Sequence, residues 1–107
     1  MRKAEIYRNG TLAGYLIEKD RRNYVFRYDD KYYRDNSKPA ISLTLPKNQQ
    51  EYHSEFLFPF FFNMLSEGVN RKLQSRQLQI DENDHFGLLL ETAGYDTIGA
   101  ICVKKIK

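Results

Sequence analysis

The sequence predicts an α+β fold: a small, mainly antiparallel sheet of N-terminal strands plus a C-terminal strand, packed with two or three helices. Three observations predict it. Period-two alternation dominates the first half, as in Tyr24-Val25-Phe26-Arg27-Tyr28. Helical spacing of apolar residues belongs to the second half, best seen in Phe86, Leu89, Leu90 and Ala93 at i, i+3, i+4 and i+7. A last apolar stretch, residues 98–103, closes the chain as a strand.

In chain order, residues 4–8 read as a strand ending at Asn9-Gly10, a strong hairpin turn signal. The partner strand is residues 11–18, with Leu12, Tyr15 and Ile17. A polar turn over residues 19–23 leads to the strand of residues 24–28, which places Tyr24, Phe26 and Tyr28 on one face. Tyr32-Tyr33 reads as a short extended piece, and residues 41–45 as a strand with Ile41, Leu43 and Leu45 inward, ended by Pro46. Pro59 suits the first turn of a helix, because its missing N–H is not needed there. Phe61, Phe62, Met64 and Leu65 continue that helix to about Ser66, and Gly68 breaks it. A weaker helix is expected over residues 70–78, and a third that Asp81 or Asn83 caps, with Asp84 favouring the helix dipole and Gly94 as its stop.

At 107 residues the chain is expected to form one domain, residues 1–107. Hydrophobic residues are 41% and aromatics 14%, too rich for a disordered chain. The net charge of +3 lacks the clustered excess of a dedicated nucleic-acid binder, so no direct specific DNA binding is expected. Cys102, the single cysteine, lies between Ile101 and Val103 and reads as a buried structural thiol, which points to a cytoplasmic protein. The longest apolar run, residues 56–62, is far short of the roughly 20 needed to span a membrane. No membrane association is expected.

The motifs of catalysis are absent. The six glycines form no phosphate loop, and there is no G-x-S-x-G, H-E-x-x-H or Cys-x-x-Cys. His53 and His85 stand in no ligand pattern. Asp84-His85-Phe86-Gly87 comes close to a kinase Asp-Phe-Gly but carries His85 where magnesium needs a carboxylate, and it reads instead as a helix start. The acidic cluster over residues 81–84 lacks the ligand spacing of a calcium loop. Neither catalytic residues nor a cofactor or metal site is therefore expected, and the chain reads as a non-enzyme. The aromatic run Phe56-Leu57-Phe58-Pro59-Phe60-Phe61-Phe62 reads mostly as core, with one or two side chains left for an interface, since every helix has an outer face.

Four segments, taken in order, resemble the N-terminal subdomain of HipA-type toxin kinases. Ile41-Ser42-Leu43-Thr44-Leu45-Pro46 is similar to their I-S-L-x-L-P segment. Residues 60–68 resemble F-F-x-N-L-L-P-E-G, with Ser66 in place of the usual proline. Residues 84–90 resemble D-x-F-x-L-L, and residues 94–100 resemble G-x-D-x-x-G-A. The similarity runs from about residue 4 to 104. In that family the region precedes the catalytic body of a serine/threonine kinase, and this chain ends before any of its ATP and magnesium residues.

Free-standing versions, called HipS, act as antitoxins for a shortened kinase, HipT, alongside HipB, which binds operator DNA. The resemblance thus implies a cytoplasmic antitoxin that binds and neutralises a HipA/HipT-like kinase, with a HipB-like protein as a possible member of the complex. Two other readings stay open: a structural subdomain that completes a split kinase without inhibiting it, and an accessory protein in an operator-bound complex using Arg71, Lys72, Arg76 and the lysines of residues 104–107. The candidate partner contact is the turn Ser66, Glu67, Gly68, Val69, Asn70 and Arg71, because a short loop on a rigid scaffold suits binding and Arg71 offers a planar fork of donors.

Overall fold

The computed structural model describes residues 1–65, 69–92 and 101–106. Among them the chain forms five strands and four helices. The order is β1 (Arg2–Arg8), β2 (Thr11–Asp20), β3 (Asn23–Tyr28), α1 (Asp30–Arg34), β4 (Glu51–Ser54), α2 (Pro59–Phe62), α3 (Val69–Leu78), α4 (His85–Thr92) and β5 (Ile101–Lys105). The strands make one antiparallel sheet ordered β4-β3-β2-β1-β5. The α+β architecture expected from the sequence is the observed one.

The β1–β2 hairpin turns on Asn9 and Gly10, with φ of 51° and 80°. Positive φ at both positions matches the right-handed twist of the flanking strands, which is why Asn-Gly marks such turns. The register pairs Ala4 with Leu16 and Leu16 with Phe26, stacking small, aliphatic and aromatic side chains across one face. That face is the core side. Ile6, Leu16, Phe26 and Tyr28 are fully buried there with Phe61, Phe86, Leu88, Leu89 and Val103. On the opposite face Lys3, Ile17, Val25 and His53 lie in one row, and Val25 is also buried.

Two segments depart from the expected pattern. Tyr32-Tyr33 belongs to helix α1, not to an extended piece, because Asp29 caps it: its carboxylate accepts from Lys31 N at 3.2 Å and Tyr32 N at 3.4 Å. Residues 41–45 form no strand. Leu45 N donates to Ser42 O at 3.1 Å, and Thr44 N donates to the Ser42 hydroxyl at 3.2 Å, closing a turn. Short hydroxyl side chains compete with ladder hydrogen bonds in this way. Ile41 and Leu45 are buried as expected, but Leu43 is 100% exposed, not inward. The edge of β3 pairs instead with β4, Glu51–Ser54, a strand with one apolar residue and no legible alternation.

The second half follows the sequence more closely. Pro59 is the first residue of α2, and α3 runs from Val69 to Leu78. Helix α4 buries Phe86, Leu89 and Leu90. Its cap is Asp84, not Asp81 or Asn83: Asp84 Oδ1 accepts from Gly87 N at 3.1 Å, whereas Asp81 Oδ1 accepts from Asn83 N at 2.8 Å. Of the aromatic run, Leu57, Phe58 and Phe61 are core, Phe60 and Phe62 are half-buried, and Phe56 is exposed. Cys102 is half-buried, not buried. The final strand is Ile101–Lys105; residues 98–100 and Ala93 lie outside the described residues.

Candidate functional site

The segment between the core and α3 begins at Leu65, which is buried. Met64 N and Leu65 N donate to Phe61 O at 3.1 Å and Phe62 O at 3.0 Å, extending α2 by tight turns. Of the expected contact residues, Ser66, Glu67 and Gly68 lie outside the described residues. The backbone of Val69, Asn70 and Arg71 is not a loop: it forms the first turn of α3. Residues 69–71 of the expected turn therefore sit at a helix start.

Helix α3 ends on a specific device. Gln79 takes φ of 58°, and Ile80 N donates to Ser75 O at 3.0 Å. The Ser75 hydroxyl donates to the Ile80 carbonyl in return. A left-handed residue after the last turn, with the following N–H reaching back to a carbonyl of that turn, is the Schellman arrangement, here with Gln where Gly is usual. A hollow of about 420 Å³ opens beside the helix, lined by Lys72, Ser75, Arg76 and Glu82. Lys72, Leu73 and Arg76 are exposed.

A second hollow, of about 620 Å³, lies where the sheet meets α4, and its lining includes Arg2, Glu18, Arg21, Tyr24, Asp84 and His85. Its centre is an ion-pair network. Arg2 Nη1 and Nη2 donate to the two Asp84 carboxylate oxygens at 3.0 and 2.7 Å, and Arg2 Nε donates to Glu18 Oε1 at 2.8 Å. The guanidinium also lies 5.3 Å from the centre of the Phe86 ring. The hydrogen bond from Arg2 holds the Asp84 carboxyl below its ordinary value. Burial, then the Glu18 charge, push the Tyr24 phenol up to about 12. A Cβ on Gly87 would fall 2.4 Å from Asp84 Oδ2, so the absent side chain leaves room for the pair. This network fastens β1 and β2 to the start of α4. Arg2 and Asp84 are 82 residues apart, so no local sequence signal announces them.

Among the described residues no group of three or more His, Cys, Asp and Glu is placed to hold a metal ion. His53 Nε2 lies 2.7 Å from Glu51 Oε2 on the exposed edge strand, and His85 stacks edge-on to Phe62 with ring centres 4.9 Å apart. Among the described residues no helix is long and apolar enough to cross a membrane.

Comparison with known proteins bears on the whole scaffold. The family model described as HipA N-terminal domain matches residues 4–104. An uncharacterized protein of Haemophilus influenzae (strain ATCC 51907 / DSM 11121 / KW20 / Rd) is 30% identical over 107 residues, covering 100% of this chain and 95% of its own. A solved structure described as the N-terminal domain of HipA toxin is similar with a TM-score of 0.73 and 28% identity, covering 100% of this chain and 94% of that one.

Proposed function

We propose, since this chain belongs to the HipA N-terminal domain family, that it is a non-catalytic protein which binds and neutralises a HipA-type serine/threonine kinase. The observation that carries the reading is the match along residues 4–104 to a domain whose solved counterpart is part of a toxin. A domain that packs beside a kinase body in one protein retains the surface for that body when made separately. The absence of a phosphate loop and of a carboxylate at position 85 supports a binding role over an enzymatic one. Residues 66–71, of which 69–71 open α3, are the contact we assign, and the protein works in the cytoplasm, where such a kinase acts. A HipB-like DNA-binding protein joins the same complex in this reading.

Co-expression with the HipA-type kinase of the same genome tests it. The expected result is co-purification of the two chains and relief of kinase-dependent growth arrest. Co-purification with growth arrest intact would make the chain a scaffold that completes the kinase. Failure to co-purify would end the kinase-binding reading altogether.

A further inference from the structure

We propose that the exposed face of α3 carrying Lys72, Leu73 and Arg76 is a preformed docking ridge for an acid-rimmed apolar groove on a partner protein. The inference deepens the kinase-binding reading and rests on it. A ten-residue helix is marginal in water, and helices in proteins take most of their stability from a packed apolar face. From Lys72 to Leu78 no such face is seen: none of those side chains is buried. Leu73 is 48% and Leu78 41% exposed, whereas Leu88 and Leu89 of α4 are fully buried. Lys72 and Arg76 neighbour each other at i and i+4, and Leu73 borders them, three residues before Arg76.

Charge identifies the occupant. Residues 69–80 hold Arg71, Lys72 and Arg76 and no acidic residue. Among the described residues neither Lys72 nor Arg76 forms an ion pair, although Glu82 lines the same hollow. Two cations beside a leucine suit a groove with an apolar floor and carboxylates along one rim, the geometry by which an amphipathic helix is read. A phosphate backbone fits less well. It would leave Leu73 in water, and so few cations displace few counterions. The Ser75–Ile80 stop holds the helix end in place, so docking does not have to order it.

The test is calorimetric titration of the full chain, and of the variants Leu73→Asp and Lys72→Glu/Arg76→Glu, into the purified HipA-type kinase of the same genome, with duplex DNA titrated in parallel. Both variants should melt like the parent, because the altered side chains are exposed. Each should bind the kinase at least about tenfold more weakly. Parent affinity should fall between about 50 and about 300 mM salt, and the charge variant should lose that dependence. A parent that binds the kinase while both variants bind within about twofold of it overturns the ridge and leaves the kinase reading standing. A parent that does not bind the kinase overturns both. Loss of DNA binding in the charge variant with kinase binding unchanged makes the occupant a nucleic acid and overturns this proposal.

Discussion

Tyr28 shows how single side chains hold the irregular part of this molecule. Its hydroxyl donates to the Leu45 carbonyl and accepts from Ile41 N at 3.1 Å. Tyr32 adds a hydrogen bond to Pro39 O at 2.6 Å, and Tyr52 reaches Pro46 O. Lys47 Nζ donates to Asp35 O and Lys38 O at 2.7 and 2.8 Å while lying 5.0 Å from the Tyr32 ring centre. Burial pushes the Tyr28 phenol up to about 12, so it stays a donor at any physiological pH. Tyr28→Phe keeps the ring but leaves two buried backbone groups without their partner. Chemical denaturation should register a loss of about 1–3 kcal/mol. At Asp84 the folded carboxyl lies below its unfolded value, so its contribution is present above about pH 4 and fades as pH falls through the folded value. The stability gap between the parent and Asp84→Asn should therefore be largest near neutral pH and shrink in urea melts taken at about pH 3.

At the level of elements, α4 and the 41–45 segment make a controlled pair. Both have leucines that a sequence pattern would send inward. Leu89 is fully buried on a regular helix, so Leu89→Ala should cost on the order of 2–5 kcal/mol. Leu43 sits at the outside of the Ser42–Leu45 turn, so Leu43→Ser should change stability by less than about 0.5 kcal/mol. Equal effects in thermal melts would contradict this placement. The difference arises from competition. Helix α4 has a dedicated cap at Asp84 and nothing rivals its internal hydrogen bonds, whereas the 41–45 segment finds Ser42, Thr44 and Tyr28 offering partners before any strand does. β4 then takes the place on the sheet edge, where the charged Glu51 and the exposed, polar His53 discourage further pairing.

For the molecule as a whole, the role we propose is recognition. The main ionic cluster pairs Arg2 with Glu18 and Asp84 at 2.7 Å each, one cation held between two carboxylates. Purified protein should show no ATP binding at low micromolar concentrations in calorimetry, given the missing phosphate loop and His85 at the position a magnesium carboxylate would need. A clear binding isotherm would reopen an enzymatic role.

The sequence by itself determined the fold class, the Asn9-Gly10 hairpin, the buried face of α4 and the family segments, because each depends on neighbours within a turn or two along the chain. The helix expected over residues 70–78 was legible too, and it begins one residue earlier, at Val69, so that residues 69–71 of the expected turn are helical. Only the tertiary structure decided that residues 41–45 turn rather than extend, that β4 completes the sheet, that Arg2 clasps Asp84, and that α3 stands with no buried side chain from Lys72 to Leu78. The β4 pairing and the Arg2–Asp84 clasp compare partners far apart in sequence, and Tyr28 reaches Leu45 from 17 residues away. Local propensity cannot rank such partners, because which hydrogen bond or ion pair wins depends on what the folded sheet brings within reach.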